Sequence, residues 1–325
     1  MRITWAGHNE VMPYADAFGY TSASVNLRDA VARAGVEITD DARVAIHLCH
    51  PYNFRPELYP HHLNVLFTMY EFDPPPSEFP AAFSVADAIF VPSRYCAKIF
   101  ERPARGKPIF VSKLGYDPTF FRYTSRRWIP REGRPFTFLW AGALNKRKGY
   151  DIIVDAWEPL KHQPWLKLVM KTTTAAPEDQ QRHFTVWNME YDERRVSRTV
   201  LSFMYANAHA FVYPTRGEGF GLTALEALAT GLPIVTIRHS GILDFLDPSW
   251  CMFATSHPQQ VDTPFGQPWG RKVDANILGP AMLDVVRDYG TWVNRARKGA
   301  AYVARNFTWD HAATALIENV KRLAA

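Results

Sequence analysis

The chain has 325 residues, 47% of them hydrophobic and 21% charged, a globular balance with length enough for two domains of ordinary size. Its apolar runs fall far short of the ~20 residues that span a bilayer. The opening lacks a signal-peptide pattern, and three scattered cysteines (Cys49, Cys96 and Cys251) exclude a disulfide framework or a zinc spacing. The expectation is therefore a cytoplasmic protein, peripheral to the membrane at most.

Strands alternate with helices from the start. Residues 2–7 read as a strand, 20–35 as a helix ended by Gly35, and 43–49 and 63–69 as compact apolar strands. A strand at 87–93 leads into a helix at 94–102, and 108–115 closes the set. Near-continuous apolar strands separated by helices predict a parallel sheet covered on both faces. Residues 122–135 are basic and hold Pro and Gly, a composition suited to a linker. The theme then restarts: strands at 136–142, 166–172, 210–215 and 232–237, helices at 149–160, 199–208 and 222–231, then three helices to the end. The formal charge of +5 leans toward anionic partners such as nucleotides, although a solvated surface accounts for scattered basic residues as readily.

The segment "RGEGFGLTALEALATGLPIV", 216–235, carries the chemistry. Pro214 ends a strand, and Gly217, Gly219 and Gly221 make a turn whose backbone a ligand could approach closely. A helix starts near Leu222, and its first amides suit an anion such as phosphate. Glu218 lies in the loop and Glu226 one turn into an otherwise apolar helix. An ionised carboxylate out of water costs several kcal/mol unless something pairs with it. A ligand bearing both phosphate and hydroxyls, a sugar nucleotide, would meet these groups together.

The string "EGFGLTALEALATGLPIV" resembles the Glu-x7-Glu motif of the retaining GT-B glycosyltransferases, the family-4-like group, which read "EGFGLPxLEAMAxGxPVI". The resemblance implies that Glu218 contacts the transferred sugar and Glu226 the ribose hydroxyls of the donor. The backbone of Gly219, Phe220, Gly221, Leu222 and Thr223 would take the diphosphate, with Thr223 standing where the family has proline. The stretch "FTFLWAGALNKRKGYDIIVDAW", 136–157, is similar to the family's "VGRLxxxKGxDxLLxA". Lys148 matches the lysine that neutralises the leaving diphosphate. The family's arginine is Ala143 here, so Arg147 or Lys146 is expected to substitute from the loop.

Other matches are thinner. Gly19 resembles a glycine loop after the first strand, where backbone amides would approach donor phosphates. His50 follows a strand at the carboxyl end of the sheet, the functional side; it is either a structural histidine or one that helps the acceptor react. Glu71, in "FTMYEFDPPPSEF", could touch the acceptor or orient a loop. Ser93 is an expected N-cap, with Arg94 beside it facing the cleft, and Gly115 and Asp117 are turn residues. Lys171 and Thr172 lie where the family approaches the nucleotide base. "SGILDFL", 240–246, near the donor site, and Trp309 read as packing residues.

The fold implied is α/β of GT-B architecture, two Rossmann-like domains facing across a cleft. Residues 1–125 would form the acceptor side, 126–305 the donor side, and 306–325 a helix returning to the first domain. The reaction implied is transfer of a hexose from a nucleotide-sugar to an acceptor hydroxyl with retention. No cofactor or metal is expected, since an Asp-x-Asp motif is missing from the sequence. Acceptors of the family are glycan or lipid-linked precursors. Modified DNA is a second possibility, given the pI near 9.0 and the aromatic content. A sugar-nucleotide epimerase and a catalytically silent binding module stay open, as do the donor base and the oligomeric state.

Overall fold

The computed structural model describes residues 1–6, 17–128, 134–173 and 187–325. The first half is built from β1 (Arg2–Trp5), α1 (Ala17–Arg33), β2 (Glu37–Ile38), β3 (Val44–Leu48), β4 (Leu63–Phe67), α2 (Phe79–Val85), β5 (Ala88–Val91), α3 (Arg94–Ala104) and β6 (Ile109–Val111). Its six strands run parallel in the order β2-β1-β3-β4-β5-β6. β3, β4 and β5 are almost wholly buried, as a sheet covered on both faces requires.

The second half holds β7 (Phe136–Ala141), α4 (Tyr150–Trp157), β8 (Leu166–Lys171), β9 (Met189–Asp192), α5 (Arg198–Asn207), β10 (Ala210–Tyr213), α6 (Leu222–Ala229), β11 (Ile234–Ile237) and β12 (Cys251–Ala254). These strands form a second parallel sheet, β12-β11-β10-β7-β8-β9. Its order reverses between β7 and β10, and such a switch point opens a crevice beyond the carboxyl ends of the two strands. The loops 142–149 and 214–221 leave from those ends, so this topology brings the two best motifs of the sequence face to face.

After β12 the chain makes an antiparallel hairpin, β13 (His257–Gln260) and β14 (Trp269–Lys272), followed by α7 (Ala275–Arg287), α8 (Tyr289–Asn306) and α9 (Trp309–Ala324). Helix α9 packs on α1 of the first half, where Arg33 pairs with Asp310 at 2.8 Å. Thr308 caps it, and His311 returns the bond in a capping box.

The sequence reading differs from this in particular places. Helix α1 begins at Ala17, so Gly19 lies in its first turn and not in a loop. Strands β2, β9 and β12, helix α2 and the β13–β14 hairpin were not anticipated. Of the expected linker, residues 129–133 lie outside the described residues, and Arg126 is tied to the second half. Its guanidinium donates to the carbonyls of Ala206 (3.0 Å), Ala208 (2.6 Å) and Thr230 (3.0 Å).

Candidate active site

Glu218 is the centre of a buried polar cluster at the switch point. Its Oε1 accepts from Lys148 Nζ at 2.7 Å and from the Tyr213 hydroxyl at 2.7 Å, and Thr215 Oγ1 lies 3.0 Å away. The Arg147 guanidinium stands 3.1 Å from the same oxygen and 3.6 Å from Glu71. Burial works to raise the Glu218 pKa, but Lys148 first and Arg147 next outweigh it and hold the carboxyl at about 2. Glu218 is therefore an anion at any physiological pH, flanked by two cations.

Local structure explains the placement. Asn145 caps a 3-10 turn, Lys146–Lys148, by accepting from Lys148 N–H at 3.1 Å, and Gly149 leaves it with φ of 72°. A Cβ on Gly149 would lie 2.1 Å from the Pro214 carbonyl, so only glycine lets the two loops touch here. Arg216 then bolts them together. Its guanidinium forms a two-pronged pair with Asp151, both bonds at 2.8 Å, and also donates to the Lys146 carbonyl. The Arg216 N–H reaches the Arg147 carbonyl at 2.7 Å.

The motif loop is fixed just as tightly from the other side. The Glu218 N–H donates to Ser240 Oγ at 2.9 Å, and Ser240 holds a left-handed φ of 64°. Gly241 follows because a Cβ there would come within 2.2 Å of the Gly219 carbonyl. Segment 240–246, expected to serve packing, thus also positions the acid. From the first half, Ser93 caps α3 through Cys96 N–H and donates its own proton to the Gly219 carbonyl at 2.6 Å. Asp244 accepts from the Arg94 backbone N–H at 3.2 Å and from its guanidinium at 3.3 Å. The motif glycines face protein as well as any ligand: a Cβ on Gly217 would lie 2.3 Å from the Glu71 carbonyl, and one on Gly219 would lie 2.8 Å from Met69 Cβ.

The remaining sequence candidates fall in different places. Glu226 is half-buried on α6. Burial pushes its carboxyl up to about 8 against the pull of Arg198 and of a long 3.5 Å hydrogen bond from Tyr205. Phe220 is buried against Phe245 and Phe307, while Leu222 and Thr223 remain half-buried in the first turn of α6 after Gly221 at φ of 97°. Lys171 does not join the cluster. Its ammonium is spent on the carbonyls of Thr172, Asp192 and Arg194 and lies 3.6 Å from the Asp192 carboxylate. Thr172 is buried with it. Gly19 sits in the exposed first turn of α1 and not in the loop before it.

His50 lies apart from the carboxylate–cation cluster, on the wall of a cavity of about 380 Å³ between the halves. Burial lowers its pKa to about 4, so the ring is neutral, and its Nδ1 accepts from Tyr52 N–H at 3.5 Å. Glu71, Lys146 and Arg147 also line this cavity, which therefore abuts the Glu218 cluster. The roles of Tyr213, Thr215, Arg216 and Asp151 escaped the sequence reading, and Ser240 lay in a segment read as packing. The signal for Arg216 and Asp151 was present, two residues before Glu218 and three after Lys148. Among the described residues no group of His, Cys, Asp or Glu is arranged to hold a metal ion, and no helix is long and apolar enough to cross a membrane.

Comparison with known proteins gives the family and the fold. Residues 94–316, more than half the chain, match the family model described as Family 4 Glycosyltransferase in conflict systems. The chain is 30% identical over 123 residues to O-antigen chain mannosyltransferase B of Escherichia coli, covering 38% of this chain and 28% of that protein. It is 26% identical over 236 residues to mannosylfructose-phosphate synthase of Agrobacterium fabrum, covering 66% and 48%. The chain thus spans half or less of the length of these curated relatives. Among solved structures it superposes on Anabaena HepE in complex with UDP and glucose with a TM-score of 0.70 at 12% identity, over 99% of this chain and 100% of that one. Sucrose-phosphate synthase from Thermosynechococcus elongatus gives 0.69 at 15% identity, over 98% and 82%. The shared fold is GT-B: two Rossmann-like halves facing across a cleft.

Proposed function

Because the chain belongs to the family 4 glycosyltransferases of conflict systems, we propose that it transfers a hexose from a nucleotide-sugar donor to an acceptor hydroxyl with retention of anomeric configuration. The observation that carries this reading is Glu218, buried, ionised and held between Lys148 and Arg147 at the switch point of the second sheet.

The chain's groups divide the work as follows. Lys148 and Arg147 neutralise charge as the diphosphate leaves, the largest electrostatic demand of such a reaction. Arg147 takes the place of the arginine absent at Ala143, since its guanidinium already reaches the cluster. Glu218 orients the donor sugar. Glu226, whose carboxyl burial pushes upward, hydrogen-bonds the ribose diol, and the first turn of α6 faces the phosphates. The acceptor hydroxyl approaches the same face from which the diphosphate departs and passes its proton to the leaving phosphate. Closure of the two halves excludes water, which would otherwise hydrolyse the donor. That the HepE structure carries UDP and glucose supports a nucleotide-sugar donor.

A thermal-shift screen with UDP-, GDP-, ADP- and dTDP-sugars reads the preferred base, because a bound donor stabilises the fold by mass action. With the donor known, Glu218→Ala and Lys148→Ala should abolish transfer while both proteins remain folded. Activity retained in both would defeat the assignment. NMR of the product's anomeric proton decides retention, and product formed without any acceptor would indicate an epimerase.

A further inference from the structure

The cavity beside the Glu218 cluster is closed by an element that motif matching did not find. The β13–β14 hairpin leaves the second half and is tied to the first by Trp269 N–H to the Asp73 carbonyl (2.7 Å) and Asp73 N–H to the Trp269 carbonyl (3.2 Å). The same edge of β14 holds the motif, through Arg271 N–H to the Arg216 carbonyl at 3.0 Å. The tip, residues 261–268, turns through Gly266 at φ of 109° and places Phe265 over the cavity.

Phe265 completes an aromatic wall. Its ring lies 5.3 Å from Tyr52 and 5.8 Å from His50, inclined by 28° and 21°, while His50 and Tyr52 lie 4.9 Å apart at 16°. Three rings from two chain segments therefore share nearly one orientation, whereas most aromatic pairs of the neighbouring core meet edge-on. Phe265 and Tyr52 remain 38% and 40% exposed although the rings stack on one another, and part-exposed aromatic rings beside a reactive cluster suit a ligand that covers them. The cavity, about 380 Å³, is at the small end of the roughly 300–1,000 Å³ usual for ligand sites.

We infer that the acceptor presents a planar aromatic ring bearing a hydroxyl, stacked on the Tyr52–His50–Phe265 wall beneath the hairpin tip, with that hydroxyl aimed past Arg147 toward Glu218. This rests on the transferase reading and goes beyond it by fixing the acceptor's chemical class. A neutral His50 serves as a stacking face without attracting anions, and the hairpin makes the second half a partner in acceptor choice.

The test is ligand-observed NMR on the full chain with 4-hydroxybenzyl alcohol, 5-hydroxymethyl-2′-deoxyuridine and methyl α-D-glucopyranoside. Saturable binding of either aromatic alcohol, with the glucoside at least tenfold weaker, is expected, and the tighter of the two names the source as a small aryl alcohol or a nucleobase. Phe265→Ala and Tyr52→Ala should each weaken it by about tenfold or more, the scale of one lost stacking partner. Phe265→Trp should restore it, which separates stacking from misfolding. Glucoside binding as tight as the aromatic alcohols, no aromatic binding, or binding indifferent to both alanine variants overturns the inference. Release of nucleoside diphosphate from the preferred donor is scored on the same samples. Donor cleavage without aromatic binding sinks only this inference, and aromatic binding without donor binding or cleavage sinks only the transferase reading.

Discussion

Replacing Glu218 by glutamine keeps the shape of the side chain and removes the charge that Lys148 and Arg147 face. At pH 7 the two cations would be left buried without their nearest anion, and breaking such a pair from one side costs about 3–5 kcal/mol. The pH dependence gives a sharper figure. The Glu218 carboxyl stands at about 2 in the folded chain against an ordinary 4.5, a displacement equivalent to about 3 kcal/mol of stability. The pKa is depressed on folding, so this stability is present above pH 4.5 and fades as pH falls toward 2. By pH 3 about 2 kcal/mol of it should be gone. Urea unfolding of the wild type and Glu218→Gln at pH 7, 5 and 3 measures the gap directly. Carboxylates remote from the cluster titrate in both proteins and cancel in the difference. The gap should be widest at pH 7 and shrink by about 2 kcal/mol at pH 3. A gap that stays constant, or a variant as stable as the wild type at pH 7, would refute the view of Glu218 as the buried anion that holds the loops together.

Glu226 should behave in the opposite sense. Its carboxyl is raised to about 8, so the stability it supports is present below the unfolded value and lost as pH rises through 8. Glu226→Gln should therefore gain on the wild type between pH 5 and pH 9 in the same unfolding assay. Arg216→Ala removes the buried two-pronged pair with Asp151 and should cost about 3–5 kcal/mol, read as a lowered thermal midpoint; donor affinity should fall as well, because loop 146–148 loses its anchor. Ser93→Ala takes away the cap of α3 and the bond to Gly219 together, for about 1–2 kcal/mol by urea unfolding. Gly217→Ala has no room against the Glu71 carbonyl at 2.3 Å and should unfold or open the cleft, visible as increased proteolysis.

The α/β alternation and both principal motifs were legible in the chain because buried parallel strands read as short apolar blocks. Strand β9 and the β13–β14 hairpin were not, for a physical reason: "MEYD" and "HPQQ" are edge or two-stranded segments with exposed or half-buried side chains, so they carry no apolar block. Gly19 misled because a glycine between a strand and a helix looks like a turn, whereas here the helix starts two residues before it. Lys171 ends β8, and the capture of its ammonium was not legible because two of the three carbonyls involved come from residues 192 and 194, more than twenty positions away. The pairing of Arg147 with Glu218 also needed the fold, since seventy residues separate them.

The glycines of the motif bear on closure as well as on ligand approach. Gly217 and Gly219 are packed against Glu71 and Met69, and Gly219 receives the Ser93 hydroxyl, so the loop that carries the acid is also the contact by which the first half grips the second. Any opening of the cleft that frees this loop must break the Ser93–Gly219 and Arg94–Asp244 bonds and expose the Gly217 surface. The same movement loosens Glu71, whose carboxylate shares Arg147 with Glu218. Separation of the halves and redistribution of charge at the cations are then one event. On the proposed reading, a donor diphosphate that draws Lys148 and Arg147 toward itself would compete with both carboxylates and so couple donor binding to Glu71 on the cavity wall.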